Sequence, residues 1–201
     1  LGFGRDMYIR QDPNGNVYSY VTNYNTLENT LHNRNEFAIV AMEYSPAPTG
    51  ICGDQPDAAP SASAKKIVKF FAYIPDAKNG GYIRAESMNF DGRGEKYLPG
   101  VCTACHYGNN HTTEFNTNGK ILASHADLDS GFMPWDLDAF LYTNATKKNL
   151  IDPAFAAFAK ATGLAGAEQE KYSREAQESR FKQQNQMVLH TFTENPKNIP
   201  R

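Results

Sequence analysis

Two strand-like segments flank a short turn signal near the start of the chain. DMYIR (6–10) and VYSYVTNY (17–24) are rich in aromatic and β-branched residues, and the QDPNGN between them has a Pro-Asn-Gly centre that is typical of a hairpin. Segments of similar composition follow at 37–45, 65–74 and 82–90. The part of the chain before residue 95 is therefore predicted to be rich in β-strands.

The second half has a helical pattern instead. Residues 152–163, DPAFAAFAKATG, begin with Asp-Pro and end with Gly, which are helix start and stop signals. Residues 167–192 predict a longer helix. Its expected inner positions are Tyr172, Ala176, Phe181, Met187 and Val188. The sequence thus predicts an α+β fold, with a β-rich part at 1–95 and a helical part at 96–201 that together make one integrated domain.

Charge and hydropathy restrict the class of partner. The 201 residues contain 20 Lys and Arg against 22 Asp and Glu, a formal net charge of −2. Because no basic stripe is present, nucleic acid is not predicted as a partner. No apolar run reaches the roughly 18 residues that a membrane-spanning helix needs, so none is predicted. The chain begins at Leu1 rather than Met, which we interpret as compatible with removal of a leader.

Cys102, Cys105 and His106 form a C-x-x-C-H motif within LPGVCTACHYGNN (98–110). This motif is the attachment signature of c-type haem. Two cysteines three residues apart on a helical turn face the same side, so both thiols can bond the two vinyl groups along one haem edge. The adjacent histidine then ligates the iron. The motif predicts one covalently bound haem c.

Two other chemistries use similar residues. A structural zinc site needs four ligands, usually as two paired clusters, but only Cys52 and scattered histidines remain here. A redox dithiol of the thioredoxin type would leave the histidine incidental. Three cysteines are also too few for a disulfide scaffold of this size. Zinc and a dithiol therefore stay as minor alternatives to haem.

Further segments carry a resemblance to a protein family. They are LGFGRDM (1–7), VTNY (21–24), AMEYSP (41–46), DGRGEKYLPGVCTACH (91–106) and FMPWDLDAF (132–140). Together they resemble bacterial secreted single-haem cytochrome c-like proteins, and the match spans most of the chain. The resemblance implies export to the periplasm, the cell surface or the medium, where haem c attachment takes place.

The chain departs from this family pattern at its cysteines. The resemblance implies a cysteine pair that brackets the first hairpin, but Ile9 and Ser19 stand at those positions. That disulfide is therefore not expected. Cys52 has no obvious partner, and we interpret it as an inert or buried thiol, with an intermolecular bridge as the alternative.

The sixth iron ligand stays open among several residues. Met133 is the first candidate because Met-Pro on a loop downstream of CxxCH resembles the distal loop of small cytochromes c, although the family pattern has Leu there. Met7 and Met42 are alternatives from the strands, with a core role as the other interpretation. Met187 is expected to pack, and Met88 is left unassigned. A bis-histidine site would use His111 or His125.

Arg93 and a group of aspartates give weaker signals. Arg93 in the DGRG turn is a candidate contact for a haem propionate, since a guanidinium suits a carboxylate. The acidic positions are Asp127, Asp129, Asp136 and Asp138. They fail the EF-hand pattern, which needs Gly at the sixth and Glu at the twelfth position. An irregular Ca²⁺ site remains an alternative to solvation, and Asp136 is expected to cap the following helix.

These signals favour electron transfer to a redox partner protein, with no bond-making chemistry on a substrate. Two alternatives remain. One is a peroxidase-like haem enzyme or small-ligand sensor with an open distal face. The other is a redox module of a larger extracellular assembly.

Overall fold

The computed structural model describes residues 4–47, 65–89, 92–108, 127–139, 142 and 170–195. The strands are β1 (Gly4–Gln11), β2 (Val17–Tyr24), β3 (Glu36–Pro46), β4 (Lys66–Pro75), β5 (Tyr82–Ala85), β6 (Ser87–Met88) and β7 (Lys96–Tyr97). The helices are α1 (Leu27–Leu31), α2 (Gly100–His106) and α3 (Arg174–Glu194), with a short 3-10 helix at Leu137–Ala139. The first five strands form one sheet and β6 pairs with β7.

The five-stranded sheet is antiparallel, in the order β1-β2-β3-β4-β5. Each strand thus pairs with its neighbour in sequence. The register places Ile9 directly opposite Ser19, Ser19 opposite Met42, and Met42 opposite Phe70. Directly paired residues point to the same face of a sheet, so these four side chains form one row across it.

The two faces of this sheet differ in burial. Val17, Ala38 and Ala72 belong to the face of that row and are fully buried. On the other face Tyr8 and Tyr20 are 51% and 43% exposed, and their rings stack with centroids 4.7 Å apart. One face therefore carries the core, as alternation of side chains along an antiparallel strand requires.

A carboxylate organises the turn between β1 and β2. Asp12 Oδ1 accepts hydrogen bonds from the backbone N–H groups of Asn14 and Asn16, both at 2.9 Å. Gly15 has φ +75°, a conformation that costs glycine little, and its N–H donates to the Asp12 carbonyl at 3.0 Å. The hairpin predicted around Pro-Asn-Gly is confirmed, with the aspartate before the proline as its main acceptor.

The α+β class with N-terminal strands is confirmed, and each predicted strand segment contains an observed strand. The long helix begins later than predicted, at Arg174. Tyr172 therefore precedes it and is 37% exposed, whereas Phe181 and Val188 are buried as expected. The helix predicted at 152–163 lies outside the described residues. None of the described helices combines the length and apolarity that crossing a membrane requires.

The chain divides into two compact units, residues 1–133 with 190–201, and residues 134–189. In the first, His190 at the end of α3 lies 3.2 Å (Nε2 to carbonyl O) from Gly15, and Lys66 pairs with Glu194 at 2.9 Å. In the second, the Asn185 amide bonds both backbone groups of Trp135, at 2.7 and 3.0 Å. The boundary predicted between residues 95 and 96 stays a prediction.

Candidate functional site

The CxxCH motif lies on α2, a helix of seven residues. Its first turn closes on the Pro99 carbonyl, which accepts hydrogen bonds from the N–H groups of Cys102 at 2.9 Å and Thr103 at 3.1 Å. The helix ends at His106, and the chain leaves it through Tyr107 at φ +43° and Gly108 at φ +124°. Two successive residues in the left-handed region turn the chain sharply away directly after the histidine.

The two cysteines have different environments although they are one helical turn apart. Cys102 is 8% exposed and Cys105 is exposed, and both are free thiols. Burial, and secondarily the neighbouring Cys105, raises the pKa of the Cys102 thiol to about 11. Cys102 is therefore a protonated thiol at neutral pH. That both sulfurs reach one edge of a haem, as the spacing of three residues predicts, stays a prediction.

The imidazole of His106 is held by its Nδ1 atom, which lies 3.1 Å from the carbonyl oxygen of Gly131. A carbonyl oxygen only accepts hydrogen bonds, so Nδ1 carries a proton in this contact. Burial lowers the pKa of His106, and the bond to Gly131 opposes this shift only in part. The ring is therefore neutral at pH 7, with its proton on Nδ1 and a lone pair on Nε2. Within the described residues, Nε2 has no hydrogen-bond partner.

Phe70 of β4 packs beside this imidazole. The two ring centroids are 5.6 Å apart and the ring planes are inclined by 51°. Phe70 is 8% exposed and belongs to the core face of the sheet. The orientation of His106 is thus fixed by an aromatic contact from the sheet and by a backbone acceptor from a later part of the chain.

That later part is residues 127–133, called here the 127–133 segment. Besides the Nδ1 bond, the Gly131 N–H donates to the His106 carbonyl at 3.3 Å, and the Ser130 hydroxyl donates to the Tyr107 carbonyl at 2.7 Å. Asp127 forms an ion pair with Lys65, just before β4. The segment therefore bridges the start of β4 and the end of α2.

Sequence reasoning did not identify Ser130 or Gly131 as partners of the histidine. The acceptor is a backbone carbonyl, and every residue carries one, so residue type gives no signal for it. In the sequence, the DSGF stretch (129–132) shows only a poor EF-hand match and the approach to Met133. Within the described residues, no three His, Cys, Asp or Glu side chains lie close enough to hold a metal ion.

The methionines proposed as iron ligands lie in three places. Met42 is 9% exposed and directly opposite Phe70, so it is the nearest of them in the sheet register to the residue that contacts His106. Met7 lies on β1, opposite Val21 and on the same face of the sheet as Met42. The strand β2 lies between β1 and β3. Met133 is 43% exposed and lies two residues after Gly131. Within the described residues, the observed contacts of the His106 ring are with Phe70 and Gly131 and with none of these three sulfurs.

The remaining candidates are placed as follows. Arg93 is exposed in the loop between β6 and β7, and its contact with a propionate stays a prediction. Met88 packs in a buried cluster with Ala38, Ala72 and Ala85. Asp136 Oδ1 accepts a hydrogen bond from the Asp138 N–H at 2.9 Å, just where the 3-10 helix begins, as its predicted capping role requires. Cys52, His111 and His125 lie outside the described residues.

The residues of α2 suit a covalently attached haem on three counts. Two thiols lie one turn apart, the histidine beside them is neutral, and its Nδ1–H has a backbone acceptor. Metal-ligating histidines commonly donate their second ring N–H to a carbonyl or carboxylate, which fixes the tautomer that presents Nε2.

Comparison with known proteins gives no assignment: no family model, no curated protein and no solved structure matches this chain.

Proposed function

We propose that this chain transfers electrons through one covalently bound haem c, held by Cys102 and Cys105 as thioethers and by His106 as an iron ligand. When bound, the haem supplies a one-electron couple between ferric and ferrous iron. The residues attach it, orient it and set its potential. The resemblance of the flanking segments to secreted cytochrome c-like proteins supports this proposal, together with the motif itself.

The observation that carries the proposal is the state of His106. Its Nδ1–H donates to the Gly131 carbonyl and its pKa is lowered by burial, so Nε2 presents a lone pair. A histidine placed for acid–base chemistry would need access to a substrate. A histidine placed as a permanent ligand needs a fixed ring and a neutral state, and this one has both.

The state of the cysteines disfavours a redox dithiol. In such motifs the attacking cysteine is exposed and has a lowered pKa, because the thiolate is the nucleophile. Here the first cysteine, Cys102, is buried and its pKa is raised to about 11. A buried, protonated thiol is better suited to a permanent thioether link than to repeated exchange.

We propose that the partner is a redox protein and that the chain works outside the bacterial cytoplasm, in the periplasm, at the cell surface or in the medium. The location follows from the resemblance to c-type cytochromes, whose haem attachment takes place there, and the redox partner follows from the proposed electron transfer. Met133, Met7 and Met42 are the candidates that the sequence offers for the sixth ligand, and Arg93 stays a candidate propionate contact.

The test is haem attachment in cells that carry the cytochrome c maturation system. The wild-type chain is expected to keep its haem stain through denaturing gel electrophoresis, and Cys102→Ser/Cys105→Ser is expected to lose it completely. Cys52→Ser is the matched control, because it replaces the one cysteine outside the motif. Absence of the stain in the wild-type chain would disprove the proposal.

A second measurement separates electron transfer from ligand binding. An electron-transfer haem is expected to titrate reversibly as a single one-electron couple and to bind carbon monoxide slowly or not at all. Immediate carbon monoxide binding by the ferrous protein would replace electron transfer with a ligand-sensing or peroxidase-like function.

A further inference from the structure

We infer that the 127–133 segment supports His106 from the end of the ring that faces away from the iron, and that Met133 therefore does not supply the sixth ligand. This inference rests on the proposed function, because it concerns the haem that Cys102, Cys105 and His106 would hold. It runs against the expectation from the Met-Pro pattern, in which the methionine downstream of the motif approaches from the opposite face.

Three hydrogen bonds place the segment against the histidine. Gly131 bonds His106 twice, through its carbonyl to Nδ1 at 3.1 Å and through its N–H to the His106 carbonyl at 3.3 Å. Ser130 bonds the next residue, Tyr107, at 2.7 Å. The segment thus follows the backbone of α2 at its last residues and reaches the ring from there.

The contact at Nδ1 determines which ring nitrogen is left for a metal, and therefore on which side of the imidazole the iron would lie. Because Nδ1 is occupied by the Gly131 carbonyl, the nitrogen that remains for a metal is Nε2. The two nitrogens point in divergent directions from the ring, so a metal bound by Nε2 would lie at the opposite end of the imidazole from Gly131. A haem held there by His106 would then stand between the 127–133 segment and the sixth ligand position.

Chain length would prevent Met133 from reaching the other side of such a haem. Met133 is the second residue after Gly131, and two residues of fully extended backbone span at most about 7 Å. To place its sulfur at the sixth position, the chain after Gly131 would have to extend from the Nδ1 end of the ring, around the edge of the macrocycle and back to its centre. Two residues of backbone and one thioether side chain are too short for that path.

Gly108 is the residue that permits this close approach. A Cβ atom there would lie 2.5 Å from the Leu128 carbonyl oxygen and would also collide with the Ser130 hydroxyl. Its φ of +124° is a further reason for glycine at this position. Any side chain at residue 108 would push the segment away from α2 and lengthen the bond between Gly131 and Nδ1. Gly108 and Ser130 are therefore positioning residues for His106.

Burial and an ion pair also hold the segment. Leu128 and Phe132 are 5% and 3% exposed, so both side chains are buried. Asp127 pairs with Lys65 at the start of β4. Its position against the histidine is thus determined from both of its ends.

The first test is Met133→Leu, with Met187→Leu as the matched control, because it makes the same exchange at a half-buried methionine of α3 that is not a candidate ligand. Met133→Leu is expected to keep its haem and to leave the ferric absorption spectrum unchanged, including any near-infrared band of sulfur-ligated iron. Loss of that band, or conversion to high-spin iron in Met133→Leu, would overturn the inference. A wild-type chain without haem stain would instead overturn the proposed function, so the two failures are distinguishable.

The second test is the reduction potential of Gly108→Ala against Gly92→Ala. Both glycines have positive φ, but a Cβ at Gly92 meets nothing within 4 Å among the described residues. Gly108→Ala is expected to shift the potential upward, because a stretched Nδ1–H···O bond leaves the imidazole a weaker electron donor to iron. Gly92→Ala is expected to leave the potential unchanged.

Ser130→Ala keeps this test decisive if Gly108→Ala does not fold. It removes one of the three hydrogen bonds without adding an atom and is expected to shift the potential in the same direction by a smaller amount. Unchanged potentials in Ser130→Ala and in any folded Gly108→Ala would show that the segment does not position the histidine.

Discussion

In the sheet, each strand pairs with the next strand along the chain, from β1 with β2 to β4 with β5. At the histidine, by contrast, the contact that fixes the ring joins residues 25 positions apart and consists of two hydrogen bonds to Gly131. The sheet rests on many local ladder bonds and a buried face. The junction of α2 with the 127–133 segment rests on a few bonds and one aromatic contact.

Because of this difference, we expect the sheet and the junction to respond differently to side-chain substitutions. A ladder loses little when one surface side chain is removed, because backbone bonds do not depend on residue type. The junction depends on particular atoms, namely the Ser130 hydroxyl and the absence of a Cβ at Gly108. Small substitutions are therefore expected to affect the junction locally and the sheet only through its core.

The largest expected effect is that of Phe70→Ala, since Phe70 belongs to both regions. It is 8% exposed in the sheet and its ring lies 5.6 Å from that of His106. Truncation should reduce the free energy of unfolding by about 3–5 kcal/mol, measured by urea denaturation. Phe71→Ala is the control, because the next residue of the same strand points to the half-exposed face. Equal losses for the two variants would contradict the assignment of the core face.

Ser130→Ala is expected to have an intermediate effect that is confined to the junction. Ser130 is 2% exposed and donates to the Tyr107 carbonyl at 2.7 Å, so its removal should cost about 1 kcal/mol. Hydrogen exchange should become faster in α2 and the 127–133 segment and stay unchanged in β2 and β3. Ser87→Ala removes an exposed hydrogen bond to Glu95 and should change neither. Faster exchange throughout the sheet would mean that the two regions unfold as one.

The smallest expected change in stability is that caused by replacing Asp76 in the turn between β4 and β5. There the Asn79 side-chain amide, with the backbone N–H groups of Lys78 and Asn79, holds the pKa of Asp76 below its usual 3.8. A lowered folded pKa means that the ionised carboxylate stabilises the fold above pH 3.8 and that this contribution is lost as the pH falls through the folded pKa.

Asp76→Asn removes this titration. The difference in unfolding midpoint between wild type and variant is expected to shrink as the pH is lowered from about 6 to about 2. A difference that does not vary with pH would show that the carboxylate charge does not stabilise the turn.

The strands were predictable because their signals are local. Aromatic and β-branched residues between turn signals identify segments that pair with their neighbours, and the observed order follows the sequence order. The start of α3 was less predictable. The pattern of apolar residues included Tyr172, but the helix begins at Arg174, since an apolar residue beside a helix can match its period by chance.

The environment of His106 was not predictable from local signals. The motif identifies Cys102, Cys105 and His106 by residue type and spacing. The acceptor for Nδ1, however, is a backbone carbonyl, and residue type does not predict which carbonyl it is. Likewise, Gly108 could be read as an ordinary turn glycine until the close approach of Leu128 and Ser130 is known.

The sequence by itself determined the strands, the hairpin turn and the three residues expected to hold a haem, because period, turn chemistry and motif spacing act over a few residues. The tertiary structure alone decided that Phe70 and Gly131 hold His106, and on which side of its ring the 127–133 segment lies. The reason is physical: contacts between distant parts of a chain depend on how whole elements pack, and packing is a property of the folded chain rather than of any short stretch of it.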